Sequence, residues 1–219
     1  DIKSTRCLDG GVDKGGTLTV GEQDLRDPDL DVKGLRRQVG MIFQTPEQQL
    51  FEQYVGDDIA FGPRNYGLDR TEVRQRVKKA MGMVGLGFEE FKDRLTFSLS
   101  GGEMRKAAIA GVLALRPEVL ILDESTAGLD PMSRQELLGR VQRLRKERCL
   151  TVILVSANME EIAEVVDRVF VLDAGRTLLS GTTREVFSRP VELRRLGLEV
   201  PPVAEIVNRL VERGAVPPG

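Results

Sequence analysis

The sequence predicts an α/β fold whose parallel sheet carries helices on both faces. Short apolar runs at 119–122, 151–155 and 169–172 alternate with amphipathic helical stretches. That alternation marks strands buried on both faces and joined by helical crossovers. The composition agrees: 219 residues, 41% hydrophobic and 30% charged, are an ordinary globular balance with ample material for a core.

Taken in order, residues 1–16 hold the turn signals Asp9-Gly10-Gly11 and Gly15-Gly16, and 17–20 follow as a short strand. Residues 39–43 form a second apolar run, preceded by Arg36 and Arg37 and followed by Thr45-Pro46, so a strand runs into a loop. From Thr71 the spacing of Val73, Val77, Met81 and Val84 is helical, and glycines at 85 and 87 end that helix. Residues 45–98 thus read as mainly helical, and the basic run Arg74, Arg76, Lys78, Lys79 as a solvated helix face. Residues 103–115 read as a helix stopped by Arg116-Pro117, 119–122 as a buried strand, and 133–148 as a helix with Leu137, Leu138, Val141 and Leu144 on one face. Buried strands at 151–155 and 169–172 flank a helical stretch at 159–166. Beyond Pro201-Pro202 a final amphipathic helix is expected to turn Val203, Ile206, Val207, Leu210 and Val211 inward.

Charge and residue usage exclude several functions. With 32 basic and 34 acidic side chains the net charge is −2, which gives no global field to attract nucleic acid or an anionic membrane. No apolar run approaches the roughly 18–20 residues of a membrane-spanning helix. Cys7 and Cys149 stand alone without metal-ligand spacing, which reads as a reducing, cytosolic setting. The absence of histidine leaves acid–base work to Asp, Glu, Lys, Tyr or Cys.

Three patterns carry chemistry. Asp123-Glu124 closes an apolar strand, and ligands bind at the carboxyl ends of strands in open α/β sheets. One carboxylate there can hold Mg²⁺ while the next orients or deprotonates water; the alternative is a strand ending in solvated acids. Ser100-Gly101-Gly102-Glu103 opens a helix, where free N–H groups and the positive dipole end suit an anion; the alternative is a plain helix cap. Ala127-Gly128-Leu129-Asp130 follows the acidic pair, and Asp130 alternatively caps the next helix.

Gln44 after a strand, Leu99-Ser100-Gly101-Gly102-Glu103, Asp123-Glu124 and the loop ending at Asp130 occur in the order that resembles the ATP-binding subunits of ABC transporters. The stretches 41–51 and 57–63, with the tail 184–198, resemble the energy-coupling factor subgroup, which powers uptake of vitamins and transition-metal ions such as cobalt and nickel. The resemblance implies a P-loop NTPase-like parallel sheet with flanking helices, an inserted helical subdomain and a C-terminal helical extension. The domains would be 1–44 with 99–183 as the nucleotide-binding core, 45–98 as the helical subdomain with the signature motif at its end, and 184–219 as the extension.

By the same resemblance the cofactors are ATP and Mg²⁺. Asp123 would hold Mg²⁺, Glu124 would act as base toward the attacking water, and Gln44 would sense both metal and water. Ser100, Gly101 and Gly102 would bind the γ-phosphate held by a second ABC ATPase subunit, in a homodimer or heterodimer, with Asp130 at the seam. Lys3 would reach the β and γ phosphates, Ser4 would ligate Mg²⁺, and Thr5 would complete that loop's end. Leu50, Phe51, Tyr54, Ile59, Phe61 and Tyr66 would place a transmembrane coupling subunit against 45–66, some of them serving a small core instead. A separate membrane component would bind the transported solute, no nucleic acid is expected, and the subunit would sit peripherally on the cytoplasmic face of the cell membrane.

Departures from the family pattern leave two readings open. The phosphate-loop pattern places six residues before its lysine, whereas Asp1 and Ile2 alone precede Lys3, so the domain reads as incomplete at its front. Ala157 stands where the family has a histidine contacting the γ-phosphate, and Ser125 where proline is usual. The first reading is the energy-coupling ATPase itself. The second is a degenerate, non-hydrolysing subunit that scaffolds the dimer and the membrane partner.

Overall fold

The computed structural model describes residues 19–21, 23–148 and 150–213. The elements begin with β1 (Thr19–Val20), β2 (Gln23–Asp24), α1 (Val32–Gln38) and β3 (Val39–Ile42), followed by a 3-10 turn at Pro46–Gln49. Helices α2 (Val55–Asn65), α3 (Arg70–Val84), α4 (Phe88–Phe91) and α5 (Gly101–Ala114) lead to β4 (Val119–Asp123), α6 (Pro131–Arg148) and β5 (Thr151–Val155). Then come α7 (Met159–Val165), β6 (Arg168–Asp173), β7 (Arg176–Thr182), α8 (Thr183–Phe187), α9 (Pro190–Arg195) and α10 (Pro202–Glu212). Two compact units result, Val32–Val155 and the combination of Asp1–Asp31 with Ser156–Gly219.

The first unit holds a three-stranded sheet in the order β3-β4-β5. Both pairings are parallel, with Gly40 opposite Leu120, Ile42 opposite Leu122 and Asp123 opposite Val155, because helices make both crossovers. Leu120 and Leu122 of central β4 are buried, while edge strand β5 is only partly so, with Thr151 and Val155 exposed. Helix α5 packs against α2, α3 and β3, and small Ala107, Ala108 and Ala110 in its buried face allow close approach. Glycine is required opposite it: a Cβ on Gly40 would stand 2.3 Å from Val112 Cγ1.

Helix α3 follows its sequence signals. Asp69 caps it by accepting from the amides of Thr71 and Glu72 at 2.8 and 3.0 Å. Val73, Val77, Met81 and Val84 are buried, and Gly85 ends the helix at φ +79°. Arg76 departs from the expected solvated face: it lies part-buried, bound to Glu72 at 2.7 Å one turn away.

The second unit corrects two expectations. Residues 169–172 do not add a buried parallel strand; β6 pairs antiparallel with β7, and Phe170 and Leu172 are exposed while Val169 and Val171 are buried. The turn explains it, since Ala174 and Gly175 both take positive φ, +46° and +76°, the geometry of a tight hairpin. The apolar stripe of α10 does not face inward either, for Val203 and Ile206 are 73% and 59% exposed. Amphipathic spacing defines a face without defining what covers it. Among the described residues no helix is long and apolar enough to cross a membrane.

Candidate functional site

Because β3 and β4 run in register, the residues just past their carboxyl ends leave the sheet together. Gln44 Nε2 donates to Glu124 Oε2 at 2.9 Å, joining two residues to which the family resemblance gives roles toward one water. Asp123 is the last residue of β4, and the Glu124 amide continues the ladder by donating to the Val155 carbonyl at 2.9 Å. Glu124 then takes φ +44°. That left-handed conformation costs a non-glycine residue about 1–2 kcal/mol, and such outliers cluster at functional sites.

The following loop is held from below by α5. Arg105, buried among the apolar residues of that helix, donates from Nη1 to the Ala127 carbonyl at 2.8 Å. Ser125 and Thr126 are buried, and Gly128 reverses the chain at φ +76°. Asp130 accepts from the Ser133 amide at 3.0 Å at the start of α6, so the capping role exists. Hydrogen bonds from Ser133 hold its carboxyl below the usual carboxylate range.

A second group stands at the start of α5. Ser100 Oγ accepts from the Glu103 amide at 3.3 Å, and Glu103 Oε2 accepts from the Ser100 amide at 2.7 Å, a reciprocal capping box. Arg94 Nη1 donates to Glu103 Oε1 at 3.0 Å. The Ser100 hydrogen bonds, with the Arg94 charge, hold the Glu103 carboxyl below its ordinary range. A Cβ on Gly101 or Gly102 would meet nothing within 4 Å, so packing within the chain gives no reason for glycine at either position. Open backbone at a helix N-terminus is a surface onto which an anion can come close.

The aromatic segment divides as its residues differ in burial. Ile59 is core, whereas Phe51, Tyr54 and Phe61 are exposed. Phe51 and Phe61 meet edge to face with centroids 4.6 Å apart, and Tyr66 donates to the Lys33 carbonyl at 2.8 Å. Asp58, buried, accepts the amides of Phe51 and Glu52 at 2.9 and 3.0 Å. Burial pushes its carboxyl up, against the opposing pull of those two bonds.

Lys3, Ser4 and Thr5 lie outside the described residues. Ala157 follows β5 in the loop where Asn158 caps α7 through the amides of Glu160 and Glu161. The sequence assigns no role to Arg94 or Arg105, and Asp58 enters it only within the stretch 57–63 that carries the subgroup resemblance.

The donors suit Mg²⁺ if the substrate completes its shell. Among the described residues no group of three or more His, Cys, Asp or Glu side chains gathers at one point. Mg²⁺ commonly takes one or two carboxylates together with substrate phosphates and water, and Asp123 with the Gln44 amide oxygen offers hard oxygen of that kind.

A parallel sheet carrying a glutamine and an acidic pair at its carboxyl edge, with a glycine-rich helix start nearby in sequence, defines a nucleotide-dependent α/β protein. Residues 4–127 match the ABC transporter family model. The chain belongs to that family, among the ATP-binding proteins of energy-coupling factor transporters. It is 49% identical over 199 residues to "Energy-coupling factor transporter ATP-binding protein EcfA2" of Clostridium acetobutylicum, covering 91% of this chain and 70% of that one. Among solved structures, cbiO1 of Clostridium perfringens, described as part of the ABC transporter complex cbiONQ, superposes with TM-score 0.74 at 35% identity, over 89% of this chain and 76% of that one. An ATP-binding cassette solved as a dimer with ADP and Pi shares the fold, with TM-score 0.66 at 21% identity over 78% and 74% of the two chains.

Proposed function

We propose that the chain is the ATP-binding and ATP-hydrolysing subunit of an energy-coupling factor transporter, driving uptake of a vitamin or a transition-metal ion of the cobalt or nickel kind. The observation that carries this reading is the 2.9 Å bond between Gln44 and Glu124 at the carboxyl edge of the sheet. Phosphoryl transfer is mainly positioning plus charge neutralisation, and those two side chains are the pair needed to orient and deprotonate a water. Glu124 takes the proton, Gln44 orients the water, and Asp123 with Gln44 and Ser4 holds Mg²⁺. When bound, Mg²⁺ supplies neutralisation of phosphate charge. Lys3 and Thr5 complete the phosphate contacts on this side, and Ser100, Gly101 and Gly102 serve the nucleotide of a second ATPase subunit, with Asp130 at the seam. The cbiONQ complex to which cbiO1 belongs supports assembly with membrane components. Residues 45–66 face the transmembrane coupling subunit on the cytoplasmic side, and a separate membrane component binds the solute.

One feature favours a second reading. Ala157 offers no donor where the family has histidine, and losing one transition-state donor lowers rates by about 10²–10³. The chain would then be a non-hydrolysing scaffold for dimer and membrane partner. Mg²⁺-dependent ATP turnover by the chain assembled with its membrane partner decides between them. The first reading expects turnover that falls about 10²–10⁴-fold in Glu124→Gln, as loss of a general base does. Absent turnover overturns it in favour of the second, and turnover indifferent to that substitution overturns the assignment of Glu124 as the base.

A further inference from the structure

The segment that leads into α5 also lies along the segment that leads into α2. The Val55 amide donates to the Arg94 carbonyl at 3.0 Å, Gly56 to Lys92 at 2.9 Å and Thr96 to Gln53 at 3.0 Å, and Thr96 Oγ1 donates to the Glu52 carbonyl at 2.7 Å. Tyr54 and Leu95 form an antiparallel bridge between them. The approach is close enough that a Cβ on Gly56 would stand 2.8 Å from the Lys92 carbonyl oxygen. Asp58 holds the amides of Phe51 and Glu52, so the exposed aromatic loop and residues 92–96 form one hydrogen-bonded piece.

Arg94 belongs to both ends of that piece. Its carbonyl receives the first amide of α2, while its side chain reaches the signature helix at Glu103 and donates to the Ser98 carbonyl at 3.4 Å. Its guanidinium lies 4.6 Å from the centre of the buried Phe91 ring, which limits its rotamers. We infer that Arg94 is a positioning residue that ties the aromatic docking loop to the Ser100 cap, so that engagement of the membrane partner sets the aim of the signature serine and glycines. The inference rests on the functional reading above, in which residues 45–66 meet the partner and Ser100 meets phosphate.

Movement of the docking loop displaces the Arg94 backbone, and the fork of its side chain carries that displacement to Glu103 and thence to the Ser100 amide. Arginine suits this because its planar donors engage Glu103 and the Ser98 carbonyl at once. Lysine offers a point charge without the fork. Glutamine in place of Glu103 can still accept the Ser100 amide but gives up the charged pair with Arg94.

The test uses the full chain, free and reconstituted with its membrane partner in nanodiscs. In Arg94→Gln, assembly and KM for ATP are expected to hold within about twofold, while stimulation of kcat by the partner falls about tenfold to 100-fold. Arg94→Lys is expected to recover part of it. Glu103→Gln is expected to match Arg94→Gln, and the double variant to be no worse than either, as coupled residues behave. In the free chain, exchange of the Ser100 amide is expected to quicken at least about tenfold in Arg94→Gln, with the α5 interior unchanged. Full stimulation in Arg94→Gln, or additive losses in the double variant, overturns the inference and leaves the functional reading standing. A wild-type chain that neither assembles nor hydrolyses ATP overturns that reading instead, and the exchange of the Ser100 amide then decides whether Arg94 holds the cap.

Discussion

Glu124 combines two properties that pull in opposite directions: a carboxylate bonded to Gln44 and a backbone at φ +44°. Glycine at this position would relieve about 1–2 kcal/mol of left-handed strain and give back about 0.5–1 kcal/mol through the freer unfolded chain. Glu124→Gly is therefore expected to raise unfolding stability by up to about 1.5 kcal/mol while abolishing ATP turnover, whereas Glu124→Gln keeps the strain and leaves stability unchanged. Guanidinium unfolding of the three proteins checks this; equal midpoints for the glycine and glutamine variants would remove strain as the explanation. The neighbouring Ser125 is fully buried, and its Oγ has no hydrogen-bond partner among the described residues. Ser125→Ala removes a desolvated hydroxyl and is expected to stabilise the protein by about 1 kcal/mol, or about 2–4 °C in Tm. A lower Tm in calorimetry would mean the hydroxyl contributes to stability after all.

The start of α5 shows what a helix-level device contributes and how much of it sequence spacing discloses. Ser100 followed three residues later by Glu103 is legible as a capping box, and α3 is legible from its apolar spacing and terminal glycine. The attachment of Arg94 to Glu103 is not, because the two lie nine positions apart and the chain between them must first be folded by the 52–56 and 92–96 pairing. The same holds for Gln44 and Glu124, each visible as the polar end of an apolar run. Their contact spans 80 residues and depends on strand register, which is a long-range pairing rather than a local pattern. The β6–β7 hairpin escaped because alanine, an ordinary residue, occupies the left-handed turn position at 174. Helix α5 also titrates in a definite direction. With its carboxyl held below the ordinary value of 4.5, Glu103 binds protons less readily folded than unfolded. Its stabilisation is complete above that ordinary value and is lost as pH falls through the lowered one. In Glu103→Gln that part of the acid dependence is expected to vanish, so unfolding midpoints measured from about pH 6 to about pH 3 fall less steeply than in the wild type. Parallel curves would exclude Glu103 as the source.

At the scale of the molecule, the hydrophobic cluster runs from Ile42 to Leu150 and lies wholly in the compact unit Val32–Val155. It passes without a break from Val55, Ile59, Val77 and Met81 of the helices to Leu120 and Leu122 of the sheet. The apolar content that announced a core was therefore legible, but its boundary was not, since α5 packs on helices and strand at once and only the folded chain reveals that. The stripe of α10 had equal amphipathic clarity in sequence, and its side chains are nonetheless exposed. Spacing reports that a face exists, and burial decides whether it carries stability. A paired comparison makes that quantitative. Leu120 is 0% exposed at the centre of β4 and Ile206 is 59% exposed on α10. Leu120→Ala opens a cavity between strand and helix and is expected to cost about 2–5 kcal/mol. Ile206→Ser changes a solvated position and is expected to stay within about 0.5 kcal/mol. Circular dichroism during denaturant unfolding measures both, and limited proteolysis supplies a second reading, with faster cleavage within residues 32–155 in the Leu120 variant alone. If Ile206→Ser proves as damaging as Leu120→Ala in the isolated chain, then the α10 stripe is covered by protein in solution, and the distinction between a face and a core fails for this helix.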